Sequence, residues 1–306
     1  MRGNPQVVPL IGGRFARACS PSGIRMGFVL DGPLLAALAV IEKQSHSRGT
    51  PANPATPVIL KVEIELPYPR LMADQDLKKR LLQTLAVSAE REGELHRLSV
   101  DPLPANPNEW GARDHVAHLA HWRRYAAQVL TAVRTGGTPP DAADIDAVNA
   151  AVYTANRGRS ADDVKEDALV SYAELARAID DCSDDDLLKP RPGSESLVWE
   201  VVPPNGHLHL GEHLGFWHQA HGDEPAAERA QKWMLEVHEA AFTDPRSRAF
   251  GEYNLACYYA RQGRSTDAIP HIKRSLELHP ALKEWARKDK DLDRIREEPE
   301  LRAILE

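Results

Sequence analysis

The chain has 306 residues, a formal net charge of −7 and 42% hydrophobic residues, enough for about two domains. No run approaches the ~20 apolar residues of a membrane span; the best, 27–41, is short and carries Asp31, and Arg14, Arg17 and Arg25 ahead of it leave no signal-peptide pattern. The acidic balance argues against a nucleic-acid partner. Cys19, Cys182 and Cys257 lack metal-ligand or redox spacing, which points to isolated thiols in a reducing, cytoplasmic setting.

Residues 1–71 stand apart. They carry eight Lys and Arg against four acids, so a +4 segment precedes a −11 remainder, and Pro51, Pro54, Pro57, Pro67 and Pro69 crowd its end. VILKVEIEL at 58–66 alternates like a strand, but it has no second strand to pair with. This segment reads as a poorly structured extension, with a small docking element as the alternative.

From 74 to 98 the chain reads as helix, with Leu77, Leu81, Leu82, Leu85, Leu95 and Leu98 forming its apolar stripe. DPLPANP at 101–107 is a loop. A second helix is expected from near Asn108 to Val133, burying Leu119, Trp122, Ala126, Val129 and Val133, and a short one over 145–156. Ser160, with Asp163 three residues on, opens a third long helix that ends at the acidic turn 183–186. A fourth covers about 205–221. Four long helices with one extended connection predict an antiparallel bundle over 72–225, a fold that can hold a metal between facing helices.

Residues 226–306 read as a separate helical unit. Leu255, Ala256, Tyr259, Ala268, Ile272, Ser275 and Pro280, with Gly263–Arg264 at the turn, fall at tetratricopeptide-repeat offsets, and only Ser275 departs from the usual small residue. One such hairpin is short for an array. It is therefore expected to pack on the bundle, to dock a protein partner or to self-associate.

The most concentrated chemistry is histidine. Eight of the 13 histidines lie in two clusters, HVAHLAHW at 115–122 and HLHLGEHLGFWHQAH at 207–221. At about 100° per residue, His209 and His213 share a face with Phe216, Trp217 and Ala220, whereas His207 and His218 point away. On the second helix, His115 and His118 both fall on or beside the apolar face, and His121 points to solvent; this geometry does not choose between 115 and 118. Two inward imidazoles from one helix and a third from another form an open divalent-metal site. Hydrogen-bonded core histidines are the competing reading.

Trp110, Asp114, His118, Leu119 and Trp122 form a W-x3-D-x3-HL signature, followed by Asn149, Tyr153 and Arg157 in NAAVYTANRGRSADDV and by H-x3-H in HLGEH with Trp217. In these motifs residues 72–225 resemble the DinB-like metalloenzyme superfamily, in particular its DfsB/ClbS-type branch. The resemblance implies a four-helix bundle with a crossover and, by position, His118, His209 and His213 as ligands of zinc, nickel or a similar ion. It also implies chemistry on a small-molecule electrophile, as a transferase or hydrolase working with a low-molecular-weight thiol. One branch opens a reactive cyclopropane without metal, so a metal-free protein that sequesters or hydrolyses a reactive metabolite is the second reading. A non-enzymatic scaffold acting through the tetratricopeptide-like unit is the third.

Around this site, Glu212 is a candidate general base, or else a solvated helix acid. Asp114, one turn before His118, either orients that ligand or serves as a first-turn acid. Asn149 and Tyr153 are candidate pocket residues, against core packing and a local cap. Trp110 and Trp122 read as core.

Overall fold

Asp76 opens the first described helix by accepting the backbone N–H of Lys79 at 2.8 Å. The computed structural model describes residues 76–99, 109–140, 144–192 and 196–306. The strand expected at 58–66 and the extension 1–71 lie outside them. The described residues are helical, with eleven α-helices and short 3-10 turns between Val198 and Asn205 and at Lys290–Leu292. None of these helices is long and apolar enough to cross a membrane.

Helix α1 spans Leu77–Leu98, α2 Ala112–Thr135, α3 Ile145–Asn156 and α4 Ala161–Asp181. The start of α2 is four residues later than expected, because Gly111 is extended and the Asp114 carboxylate turns back to accept its N–H at 2.9 Å. Ser160 caps α4 through the N–H of Asp163, at 3.0 Å. The acidic segment after α4 is itself one helical turn, α5 (Asp184–Leu187). There Ser183 and Asp186 satisfy each other's backbone N–H groups, at 3.0 and 3.1 Å. Helix α6 follows at His207–Ala220.

Helices α1, α2 and α4 pack on one another, and α6 lies against α1 and α2. The core between α1, α2 and α4 contains an ion pair. Arg123 and Glu92 are both fully buried and join through two bonds of 2.6 and 3.1 Å. Arg123 Nε donates to Ser171 at 2.8 Å, Tyr172 donates to Glu92 at 2.9 Å, and the guanidinium lies 3.8 Å from the Tyr172 ring centroid. One residue of the cluster comes from α1, one from α2 and two from α4, so it sets their mutual register.

Helix α7 (Glu224–Ala241) begins beside the expected domain boundary at 225 and contributes to both sides of it. Ala230 packs with α2 and α6, Ala241 with α1 and α4, and Ala227 with the C-terminal helices. Its contact with α6 is close because of glycine: a Cβ on Gly211 would lie 2.5 Å from the Met234 Cβ and 3.2 Å from the Ala230 carbonyl oxygen. Helices α8 (Pro245–Arg261) and α9 (Ser265–Leu278) pack on each other across a turn at Gly263, whose φ of 74° favours glycine. Leu255, Ala256, Tyr259, Ala268, Ile272 and Ser275 are buried. Two short helices, α10 (Leu282–Ala286) and α11 (Pro299–Leu305), complete the C-terminal unit.

Arg123→Met leaves the Glu92 carboxylate buried without its cation and should lower unfolding stability by about 3–5 kcal/mol, as for other broken buried pairs. Adding Glu92→Leu should return most of that loss. Urea denaturation of the single and double variants measures both; a single variant within about 0.5 kcal/mol of the parent, the range of an ordinary surface substitution, would remove the pair from its structural role.

Candidate metal centre

Helices α2 and α6 meet at four imidazoles. His118 Nε2 and His213 Nε2 each lie 3.1 Å from His209 Nε2. One nitrogen from each of these three residues falls within 4.8 Å of the others, and all three side chains are buried. The fourth, His115, meets His213 from the opposite side of its ring, Nδ1 to Nδ1 at 2.7 Å.

Proton placement shows why this cluster suits a cation. The His209 Nε2 has either one hydrogen or one lone pair in the ring plane, so it makes a good hydrogen bond to only one of its two neighbours. The remaining contact is frustrated. A cation that accepts a lone pair from each of the three nitrogens removes that conflict. Zinc–nitrogen bonds of about 2.0–2.1 Å at a tetrahedral angle require nitrogens roughly 3.3 Å apart; the two pairs that share His209 lie close to this at 3.1 Å, and the third pair, His118 and His213, falls within 4.8 Å. The donor set, three neutral nitrogens from i, i+4 positions on one helix and a third on its neighbour, fits a divalent ion of the zinc class. Burial, the largest cause, holds His209 down at about 3 and His118 and His213 well below the usual histidine range, so all three rings are neutral at neutral pH and each has one nitrogen lone pair, whose position the tautomer sets.

Aromatic side chains enclose the cluster. Trp110 lies edge-on to His115 and His118, with centroids 5.1 Å apart in each case, and stacks on His213 at 5.8 Å. Tyr153 stacks on the Trp110 ring, and the Arg157 guanidinium sits 4.8 Å from the Tyr153 centroid. Phe216 meets His213 edge-on at 5.9 Å. Trp110 is therefore the wall over the three imidazoles rather than remote core. Its place just before α2, one turn ahead of His115 and Asp114, is the sequence signal for that role.

The other candidates are placed as follows. Tyr153 belongs to this wall, and its hydroxyl donates to the Glu109 carbonyl at 3.4 Å. Asn149 is buried, and its amide oxygen accepts the Trp122 indole N–H at 3.0 Å. Asp114 caps α2 and pairs with Arg157 at 3.4 Å; burial raises its pKa against those two partners. Glu212 faces away from the cluster, where its carboxylate lies 3.7 Å from Arg261 of α8, and burial pushes its pKa up to about 7. Neither carboxylate hydrogen-bonds to the three imidazoles.

Three histidines expected at the surface are not there. His207 is buried and meets His238 of α7, Nε2 to Nδ1 at 3.0 Å. His238 Nε2 donates to the Ser247 carbonyl at 2.8 Å, so its Nδ1 accepts from His207. His218 is buried against Glu94 at 2.7 Å. His121 is half-buried, which lowers its pKa. Each is covered by a different helix: α7 lies over His207, α1 supplies the Glu94 partner of His218, and α3, through Ala151, Val152 and Ala155, borders His121 on α2.

Comparison with protein-family models, with curated proteins and with solved structures returns no match.

The buried histidines make stability depend on pH. Six of them are held neutral in the fold: His115 and His209 at about 3, His238 at about 4, and His118, His207 and His213 well below 6.5. Below pH 6.5 the unfolded chain binds more protons than the folded one, so stability falls as pH drops, by about 1.4 kcal/mol per pH unit for each histidine fully in that regime. Glu212, whose pKa rises from 4.5 to about 7, opposes this between those values, and Asp114 and Asp291, also raised by burial, oppose it lower down, three carboxyls against six histidines. The urea midpoint of the metal-free protein should therefore drop steeply between pH 7 and pH 5. An unchanged midpoint would mean that the imidazoles are already charged or exposed in the fold.

Proposed function

We propose that His118, His209 and His213 bind a divalent ion, zinc or nickel, and that the protein is a metal-dependent transferase or hydrolase. Its substrate is a small electrophile, attacked by a low-molecular-weight thiol in the transferase reading or by water in the hydrolase reading. The reading is carried by the two Nε2···Nε2 contacts of 3.1 Å inside a buried cluster drawn from two helices. With it goes the resemblance of residues 72–225 to the DinB-like superfamily, and a four-helix bundle made of α1, α2, α4 and α6.

A bound divalent ion would act as a Lewis acid, favouring the thiolate or hydroxide form of a ligand and polarising an electrophile. The side chains around it do the rest. Trp110, Phe216 and Tyr153 exclude water from one side of the cluster and offer flat apolar surfaces to a small organic substrate. Tyr153 and Arg157 supply polar groups at the outer edge of that wall. Asp114 holds Arg157 there and the first turn of α2 beneath it, and so acts on the site through them. Asn149 anchors Trp122, whose ring lies 6.2 Å from His118. Glu212 joins α6 to the C-terminal unit, which we read as a tetratricopeptide-like platform for a protein partner or a second copy of the chain.

Protein purified without chelators should contain about one equivalent of zinc or nickel, as expected of one three-histidine site. His209→Ala and His213→Ala should each lose it, with far-ultraviolet circular dichroism unchanged. The loaded protein should accelerate addition of a small thiol to, or hydrolysis of, an epoxide or similar electrophile, and the two variants should not. A folded parent protein that takes up neither ion when dialysed against it would sink the reading and favour the metal-free alternative.

A further inference from the structure

The geometry points to His115 as the positioning residue of the metal centre: its Nδ1 accepts the Nδ1–H of His213, which turns the Nε2 lone pair of His213 towards the ion. This rests on the metal-binding reading above and adds a residue and a role to it.

His213 uses both ring nitrogens. Its Nε2 lies 3.1 Å from His209, among the three converging imidazoles, and its Nδ1 lies 2.7 Å from His115. At 2.7 Å two nitrogens share one hydrogen, so one is N–H and the other a lone pair. A metal ligand presents its lone pair and carries its proton on the other nitrogen. His213 must then donate from Nδ1, and His115 must accept there and carry its own proton on Nε2. The reverse arrangement, with His115 donating, puts the hydrogen of His213 on Nε2, where it blocks coordination. The state of the His115 ring therefore decides whether His213 is a ligand.

His115 does not join the converging cluster itself; it contacts the nitrogen of His213 that faces away from His209. Its position also matters mechanically. It stands three residues before His118 on α2, so one helix supplies both a ligand and the group that aims a ligand on the facing helix. Trp110 fixes the pair from above, edge-on to His115 and stacked on His213. The other two ligands differ, because the Nδ1 atoms of His118 and His209 have no hydrogen-bond partner among the described residues. Losing the His115 contact would leave the ligand set without its one side-chain acceptor.

The test uses the full chain with cobalt(II) as a spectroscopic probe and zinc in competition with a chelator. His115→Leu removes the acceptor. His115→Asn places a carbonyl oxygen one bond beyond Cγ, where Nδ1 lies in histidine, and keeps it. His115→Leu should weaken zinc binding about 10–100-fold, the usual effect of removing a group that orients a ligand. The visible cobalt spectrum of the saturated variant should keep the shape of the parent's, since the ligands are unchanged. His115→Asn should recover most of the affinity. Nitrogen-detected NMR of the zinc-loaded parent should show the His115 proton on Nε2 and the His213 proton on Nδ1, a readout that holds even if His115→Leu does not fold. Unchanged affinity in His115→Leu, or a His115 proton on Nδ1, would overturn the assignment while leaving the metal site standing. A saturated cobalt spectrum altered as in His213→Ala would make His115 a ligand instead and also overturn it. A parent protein that binds neither cobalt nor zinc would overturn the metal-binding reading itself, and this assignment with it.

Discussion

Helix α6 has no free side along its first nine residues: every position from His207 to Gly215 is buried. A polar group carried into such a place must find its partner within the protein or cost free energy. The surroundings of α6 follow from this constraint. His209 and His213 turn to α2, where two further imidazoles meet them. His207 turns to His238 on α7, and Glu212 to Arg261 on α8. On the remaining side the helix has no side chains to place, because Gly211 and Gly215 let α7 approach its backbone. Gln231 takes advantage of that approach and donates to the Gly211 carbonyl at 3.1 Å.

The same constraint joins the fold to the proposed chemistry. A mobile α6 would let the imidazoles separate, and a separated set binds no ion. Its rigidity comes from opposite directions. On one side the Arg123–Glu92 pair locks α1, α2 and α4, and with them the carrier of His115 and His118. On the other, α7 and the C-terminal hairpin press on α6, with Arg261 reaching Glu212, Asp291 at 2.6 Å and the face of Phe216. Phe216 in turn touches His213. The C-terminal unit is thus one ring away from the cluster, so its packing bears on the site's geometry.

The helices themselves were largely legible. Periodic leucines located α1, and the Ser160–Asp163 cap marked the start of α4. The repeat offsets located the α8–α9 hairpin, whose Leu255, Ala256, Tyr259, Ala268 and Ile272 are all buried. Local signals suffice where a helix has one apolar face and one wet face. They failed on α6. An angular projection assumes a wet side, and it sent His207 and His218 outward although both are buried. The segment HLHLGEHLG held the warning: it has a single charged residue and two glycines four apart, the composition of a helix covered all round. Arg123 and Glu92 gave a similar hint, since each interrupts the apolar stripe of its helix with a charge opposite to the other's.

The amino-acid pattern thus establishes helices from residue 74 onward, two histidine clusters and an i, i+4 pair able to share a ligand, because helical periodicity is local and follows from backbone geometry. Periodicity left open which imidazoles meet, and the contacts themselves are made only in three dimensions. His115 and His118 lie on one face of α2 and are equivalent to any projection, but the approach of α6 puts His118 beside His209 and His115 behind His213. That choice depends on the depth and rotation at which two helices pack, set by the bulk of distant side chains and by glycines on the far side of α6, and helical periodicity does not encode it; in the sequence only the W-x3-D-x3-HL resemblance favoured His118.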